Sequence, residues 1–143
     1  MESKDNKLTI NIPDGMEIDL QNSNFDAGVI KFKKKELTYK DIQDSVGKYP
    51  TSIFTTPRNR LKINAIDALM NIARYYNGDW KPDWSNNKEG KFYISYNFIH
   101  NAYFVIEDNS NNVGTIVFKQ QEDTQKVINN PNFREILDAN FKN

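Results

Sequence analysis

The sequence predicts an α+β fold in a single domain that covers residues 1–143, with residues 1–6 disordered. Apolar and polar residues alternate near both ends of the chain, a stripe at helical spacing crosses its middle, and 143 residues suit one hydrophobic core. We expect an antiparallel sheet of about five strands, an N-terminal pair plus a C-terminal meander, packed by one long helix and short C-terminal helices.

Two strands are predicted near the N-terminus. Residues 8–12 alternate apolar and polar side chains and end at a turn sequence, Pro-Asp-Gly, at residues 13–15. The following residues are polar and irregular until alternation resumes at residues 29–33. We predict that the second strand runs antiparallel to the first.

A short helix is predicted after these strands. Thr38 can cap it, because Asp41 completes the Ser/Thr-x-x-Asp/Glu arrangement that satisfies the first amides of a helix. Gly47 would end this helix. Residues 49–58 contain two prolines and several hydroxyl side chains, which predicts a loop.

A longer helix is predicted for residues 60–76. It ends at Asn77-Gly78, a pair that favours the left-handed conformation found after helices. Its apolar stripe consists of Leu61, Ala65, Leu69, Ile72, Ala73 and Tyr76. This stripe predicts the helix face that packs on the sheet.

The C-terminal part is predicted to contain a meander and two short helices. The strand candidates are residues 92–98, 102–107 and 115–118, joined by turn sequences. A helical pattern then passes through Val127 and Ile128 and breaks at Asn130-Pro131. A second helical pattern places on one side Phe133, Ile136, Leu137 and Phe141.

The composition excludes several classes of site. The chain has no cysteine, which removes disulfides, thiolate nucleophiles and cysteine-based zinc sites, and its single histidine is His100. The familiar motifs of serine hydrolases, zinc proteases and phosphate-binding loops do not occur. We therefore expect no enzymatic activity, no cofactor and no metal, and assign no catalytic residue.

Both tryptophans lie in one polar loop, which is the first site candidate. Trp80 and Trp84 are separated by Lys81, Pro82 and Asp83. The indole faces could stack on a ring or anchor a protein partner, with Lys81 and Asp83 orienting a polar ligand. In the alternative interpretation the indoles fold back and close the open end of a small core, since burial is the commoner fate of Trp.

A set of basic residues is the second candidate, as contacts to phosphate groups. Residues 31–62 are rich in Lys and Arg, although the net charge of the chain is zero. These side chains would form one patch if the second strand lies beside the start of the long helix. Alternatively, the lysines form the solvated face of an edge strand. The candidates are Lys33, Lys34, Lys35, Arg58 and Arg60.

Three segments carry a resemblance to a known group of proteins. They are residues 12–19 (IPDGMEID), residues 75–84 (YYNGDWKPDW) and the run from residues 117–119 (VFK) into residues 133–137 (FREIL). This layout resembles small uncharacterised proteins of tailed bacteriophages and prophages of gut bacteria, and the WKPDW string is its most specific part. The chain departs from their pattern at Met16, where Tyr is usual, and at Gly78-Asp79, where Asp-Gly is expected. Because that group has no assigned activity, the resemblance implies no site residues.

We expect a non-catalytic accessory protein of phage or prophage type that binds a protein partner or assembles with its own copy. The alternative is binding of nucleotides or single-stranded nucleic acid, with Trp80 and Trp84 stacking on bases and the Lys/Arg set holding phosphates. No segment has the length of apolar chain that a membrane span needs, and residues 1–5 lack a signal-peptide core. A cytoplasmic location is therefore expected, in the host cell if the protein is phage-encoded, with the virion as the other possibility.

Overall fold

The computed structural model describes residues 9–46, 57–108 and 116–142, and for residues 57 and 58 it describes the backbone alone. Within these ranges the fold class is α+β, as predicted. The chain divides into two compact units, residues 1–36 and residues 37–143. The predicted N-terminal disorder falls outside the described ranges, and the assignment of one domain stays a prediction.

The N-terminal unit contains a short antiparallel strand pair. Strand β1, Met16–Ile18, pairs with strand β2, Phe32–Lys34. Glu17 faces Lys33 across the pair, with 3.2 Å between the Lys33 Nζ and the Glu17 Oε1. Ile18 faces Phe32. One pair of opposite charges and one pair of apolar side chains therefore face each other across the two strands. Both pairs favour this register.

The predicted first strand is wrong in its described part. Residues 9–12 form no strand, and β1 begins only after the Pro-Asp-Gly turn. The Met16 amide donates to the Pro13 carbonyl at 3.0 Å, and Gly15 has a φ of +73°, which glycine adopts without strain. Alternation predicts which face of a strand is apolar, but it does not specify the partner strand. The second predicted strand, residues 29–33, overlaps β2 only at its last two residues.

Helices make up most of the described residues of the second unit. Helix α1 covers Tyr39–Val46 and helix α2 covers Pro57–Asn77. Helix α3 covers Gln121–Asn129, a 3-10 turn covers Pro131–Phe133, and helix α4 covers Arg134–Phe141. The predicted C-terminal helices are confirmed. Helix α2 begins at Pro57, inside the predicted loop, because proline is well tolerated in the first turn, where its missing amide would have no partner.

Thr38 caps α1 as predicted. Its hydroxyl accepts a hydrogen bond from the Asp41 amide at 3.2 Å. The Asp41 carboxylate accepts from the Thr38 amide at 2.9 Å and from the Thr38 hydroxyl at 2.6 Å. The start of the helix therefore has its amides satisfied by its own sequence. The predicted stop at Gly47 lies outside the described residues.

Helix α2 lies at the centre of the core. Ala65, Leu69, Ile72 and Ala73 of its predicted stripe are buried, but Leu61 is 59% exposed. The packing partners α1 and α4 have 8 residues each, whereas α2 has 21. At about 1.5 Å per residue, such short helices cannot cover the whole of α2. The core is completed by Ile42, Ile94, Phe118, Val127, Ile128, Phe133 and Leu137.

The C-terminal sheet is smaller than predicted. Strand β3, Lys91–Asn97, pairs antiparallel with strand β4, Ala102–Asp108, which confirms two of the three predicted strands. In the described part of the third, residues 116–118, only Phe118 forms a bridge, and its partner is Phe92 of β3, with N···O distances of 3.1 and 2.7 Å. The described residues thus form two sheets of two strands each, not a five-stranded sheet. The arrangement is not a meander, because the third segment returns to β3 and not to β4.

The side chain of Asn77 explains where this third segment lies. Its amide nitrogen donates to the Val117 carbonyl at 2.8 Å, and its amide oxygen accepts from the Lys119 amide at 2.9 Å. The side chain therefore provides both partners that a neighbouring strand would have provided. It fixes residues 117–119 to the end of α2, and Gly78, with a φ of +57°, then turns the chain away.

We predict that Asn77→Ala destabilises the protein by about 1–3 kcal/mol, because a backbone carbonyl and an amide both lose their partner. Urea unfolding followed by circular dichroism measures this change. Asn64→Ala is the matched control, since Asn64 is exposed on the same helix. Equal unfolding midpoints for the two variants would contradict the role of Asn77.

Candidate functional site

The tryptophan loop, residues 79–90, is organised around Glu89. The indole N–H of Trp80 donates to Glu89 Oε1 at 3.0 Å. The backbone amide of Asp83 donates to Glu89 Oε2 at 2.8 Å. One carboxylate therefore joins two parts of the loop, and such hydrogen bonds to a charged acceptor are among the stronger ones in proteins.

A buried lysine lies beneath this loop. Lys91 is 0% exposed, and its ammonium donates to the carbonyls of Asn86 at 3.1 Å and Glu89 at 3.2 Å. The Glu89 carboxylate lies 3.5 Å from the ammonium, and the Trp84 ring centre lies 5.6 Å away. A buried ammonium is costly unless it is paired and hydrogen-bonded, and here each of these conditions is met. The loop therefore forms the environment that Lys91 needs.

Both acidic side chains of this loop that have shifted pKa values are held in the charged form. The pKa of Glu89 is lowered, first by the Asp83 amide and then by the Trp80 indole N–H. The pKa of Asp83 is lowered chiefly by Ser85, whose hydroxyl and amide donate to it at 2.6 and 2.9 Å. These carboxylates serve as hydrogen-bond acceptors within the loop.

Two of the four predicted ligand residues of the loop contribute to its internal contacts, and the other two lie on its surface. Trp80 and Trp84 are half-buried and contact Glu89 and Lys91, while Lys81 and Asp83 are exposed. The structural interpretation thus accounts for the indole N–H of Trp80 and for one face of Trp84. A partner-binding role of this loop stays a prediction, and its internal hydrogen bonds would make such a surface preorganised.

The predicted phosphate contacts belong to different units. Lys33, Lys34 and Lys35 are exposed in the N-terminal unit, and Lys33 is paired with Glu17. Arg60 is exposed in α2 of the second unit, and the side chain of Arg58 lies outside the described residues. Neither unit alone therefore assembles the predicted set of cations.

The turn between β3 and β4 presents two large apolar side chains that are not among the predicted site residues. In this hairpin tip, residues 97–101, Phe98 is 71% exposed and Ile99 is 89% exposed. The Asn97 side-chain oxygen accepts from the amides of Ile99 and His100 at 2.9 and 3.0 Å. Asn101 has a φ of +51°, which Asn tolerates better than most residues. The signal in the sequence is a Phe-Ile pair between asparagines, where turn chemistry favours polar residues.

Aromatic rings and cations support the hairpin tip from below. The Tyr96 ring lies 4.9 Å from the Phe98 ring and 4.7 Å from the Tyr103 ring. The Lys142 ammonium lies 5.0 Å from the centre of the Tyr96 ring. The Tyr96 hydroxyl also bonds to the side-chain oxygen of Asn101, within the tip itself. These contacts fix the orientation in which Phe98 is presented.

Tyr103 and Asp138 connect this aromatic cluster to α4. The Tyr103 hydroxyl donates to Asp138 at 2.6 Å, and the Lys142 ammonium lies 2.8 Å from the same carboxylate oxygen. Lys142, followed by Tyr103, lowers the pKa of Asp138. Burial and the nearby carboxylate raise the pKa of Tyr103, which stays protonated and continues to donate.

Within residues 9–46, 57–108 and 116–142, no helix combines the length and the apolar character needed to cross a membrane. In the same ranges, no group of three acidic or histidine side chains could hold a metal ion. The chain matches no protein-family model, no curated protein and no solved structure. Its function therefore has to be argued from its own residues.

We predict that acid loosens the tryptophan loop through Glu89. Because the folded protein lowers its pKa, Glu89 contributes stability above its unfolded pKa and loses it as the pH falls through the folded value. Both tryptophans lie in this loop, so intrinsic fluorescence reports on it directly. We expect an acid transition in the wild type that Glu89→Gln removes.

The control for this titration is Glu122→Gln, since Glu122 is an exposed residue of α3. Its fluorescence transition should coincide with that of the wild type. An unchanged transition in Glu89→Gln would show that another group controls the loop.

Proposed function

We propose that this chain is a non-catalytic accessory protein of phage or prophage type that binds a protein partner, with the hairpin tip as its main contact. The observation that carries the proposal is the exposure of Phe98 and Ile99 on a turn held by Asn97. Scattered exposed apolar side chains are ordinary on protein surfaces, and Leu20 is one of them. Two adjacent apolar side chains on a turn that is fixed by hydrogen bonds differ from such scattered residues, because one pocket of a partner can enclose both.

The rigidity of the tip favours binding. Ordering a flexible loop on association costs free energy, whereas the tip already has its turn amides bonded to Asn97 and the Phe98 ring against Tyr96. Burying an isoleucine side chain contributes about 2 kcal/mol. A protein pocket lined by apolar side chains is the partner surface that can use this contribution.

The charged side chains support a non-catalytic role. A general acid needs a carboxyl whose pKa is raised toward neutrality. Four carboxyls of the described residues instead have pKa values lowered by hydrogen-bond donors, and they are Asp19, Asp83, Glu89 and Asp138. Each of these acids is held as a structural acceptor.

Binding of a nucleotide or single-stranded nucleic acid has less support. Acidic and basic residues balance over residues 79–91, so the tryptophan loop provides no excess of positive charge for phosphates. Lys33 is paired with Glu17, and Trp80 uses its indole N–H for Glu89. The alternative predicts that affinity for an oligonucleotide falls steeply with salt and falls further in the Lys34→Glu, Arg60→Glu double variant.

A photo-cross-linking residue at Ile99 tests the proposed contact directly. We expect p-benzoylphenylalanine at this position to yield one discrete protein adduct in cells that make the protein naturally. The same residue at Gln125, which is exposed on α3, should yield none. Equal adducts at both positions would contradict a specific tip contact, and an adduct removed by nuclease would favour the nucleic-acid alternative.

We predict that Ile99→Asn weakens binding of the partner so identified by at least about tenfold, or ~1.4 kcal/mol, since the anchor is lost from the interface. Isothermal titration calorimetry measures the affinity. Ile63→Asn provides the same chemical change at an exposed site on α2. The thermal unfolding midpoint of Ile99→Asn should equal that of the wild type, which separates loss of binding from loss of fold.

A further inference from the structure

The outer edge of β4 has backbone groups that no described strand pairs with. Phe92 exchanges both of its hydrogen bonds with Phe118, so its N–H and C=O point away from β4. Alternate residues of a strand direct these groups to opposite sides, so Lys91 and every second residue after it face β4. Their register partners in β4 are Ala102, Phe104, Ile106 and Asp108. The N–H and C=O groups of the intervening residues, Tyr103, Val105 and Glu107, therefore point to the outer edge.

Within the described residues, this edge lacks three common forms of protection against strand addition. Edge strands in soluble proteins commonly contain proline, lysine or a bulge, which prevent another strand from pairing. Residues 102–108 contain neither proline nor lysine, and their ladder with β3 is regular over all seven positions. Aromatic and β-branched side chains occupy the middle of the strand, as in a strand that pairs on both sides.

We propose that a second copy of this chain pairs antiparallel with the outer edge of β4, about a twofold axis through Val105. The joined sheet then has the strand order β3-β4-β4-β3. This surface is separate from the hairpin tip, so the pairing does not depend on the proposed function. The two tips would lie at opposite ends of the joined sheet, each accessible to a partner.

The sequence of β4 is complementary to itself in this register. A twofold axis at the middle residue pairs all seven positions, and it places Phe104 opposite Ile106 of the second copy. This pair lies at a position without direct backbone bonds between the two copies, where opposing side chains are closest. An aromatic residue opposite a β-branched one is a favourable cross-strand pair.

The charges favour the same register. Glu107 faces Tyr103 of the second copy, and Asp108 faces Ala102. An axis through Glu107 would instead place two glutamates directly opposite, which is destabilising. Self-complementarity of this kind is what a twofold interface requires, because one surface patch has to match itself.

Glu107→Pro tests the pairing. Glu107 is exposed, and its N–H points away from β3, so proline removes the backbone donor to the second copy together with the carboxylate side chain and leaves the ladder with β3 in place. Proline at this position also favours an extended conformation at the preceding residue, which β4 already has. By symmetry, each dimer loses two hydrogen bonds.

Sedimentation equilibrium on the full chain measures the dissociation constant. We expect the wild type to dimerise and Glu107→Pro to raise the constant by more than about tenfold. Glu107→Ala is the matched control, because it removes the same side chain and keeps the N–H, and it should remain close to the wild type. A wild type that stays monomeric up to its solubility limit, or identical constants for the two variants, would overturn the proposal. Ile99→Asn should dimerise normally, which keeps this outcome distinct from that of the tip.

A cross-link tests the register even if Glu107→Pro folds poorly. The chain has no native cysteine, so single cysteines can be introduced without interference. Val105→Cys should form a disulfide dimer on mild oxidation, since the axis places the two residues about 5.5 Å apart between Cα atoms. Glu107→Cys should not, since its two copies would lie about 13 Å apart along the strands. Equal cross-linking at both positions would overturn the register.

Discussion

The small size of the C-terminal sheet determines how the second unit is built. Two strands cannot form a core between themselves, so stability has to come from elements packed on one face. Among the described residues of β3 and β4, the buried apolar core includes only Ile94, and most of its other members lie on helices. Helix α2 is therefore the centre of the core. The β3–β4 strand pair contributes mainly as a cover over the helices. The consequence is a strand pair with an outer face and an outer edge left to other interactions.

Asparagine side chains join the parts of this unit that are distant in sequence. Asn77 holds residues 117–119, and both Asn130 and Asn132 donate to the Leu37 carbonyl, at 2.9 and 3.2 Å. Asn71 donates to the Tyr39 hydroxyl at 3.2 Å. An amide side chain carries both a donor and an acceptor, so it can replace a missing strand or helix partner. In the described part of the chain, no buried side-chain nitrogen or oxygen lacks a hydrogen-bond partner. A unit with a small sheet is thus completed by side-chain hydrogen bonds.

Local signals in the sequence predicted the helices well. Thr38 and Asp41 act within one helical turn, and Val127, Ile128 and Leu137 follow a spacing that places them on the buried face. The strand predictions failed where a strand depends on a pairing partner that is distant in sequence. Residues 9–12 alternate in polarity and residues 116–117 are apolar, as is typical of strands. Their pairing, however, depends on distant segments such as β2 and on the Asn77 amide. The predicted packing of Leu61 failed for a similar reason. It depends on the length of the helices that pack against α2, and the sequence of α2 does not contain that length.

The candidate sites were predicted in part, and the reason lies in the residue types. Two tryptophans in a polar loop attract attention, but Glu89 and Lys91 resemble ordinary surface residues in a sequence. Their roles arise from the loop geometry, which places a carboxylate beside two donors and an ammonium beneath an indole ring. The tip was missed because the predicted strand, residues 92–98, included Phe98, whose ring was therefore expected to pack with the other apolar side chains of the sheet.

Lys91 and Ile99 reverse the usual distribution of charged and apolar residues. Lys91 is buried at the start of β3, and Ile99 is exposed in the hairpin tip that follows β3. Burying an ammonium costs on the order of several kcal/mol of free energy, and pairing and hydrogen bonding restore a similar amount. For Lys91, the chain provides these partners through Asn86, Glu89 and Trp84. Exposing an isoleucine forfeits about 2 kcal/mol that burial would contribute. For Ile99, 89% exposed, the described residues provide no comparable cover. The first reversal is thus compensated inside the chain, whereas a surface on another molecule can compensate the second. This difference is the physical reason for proposing the hairpin tip, and not the tryptophan loop, as the main binding surface.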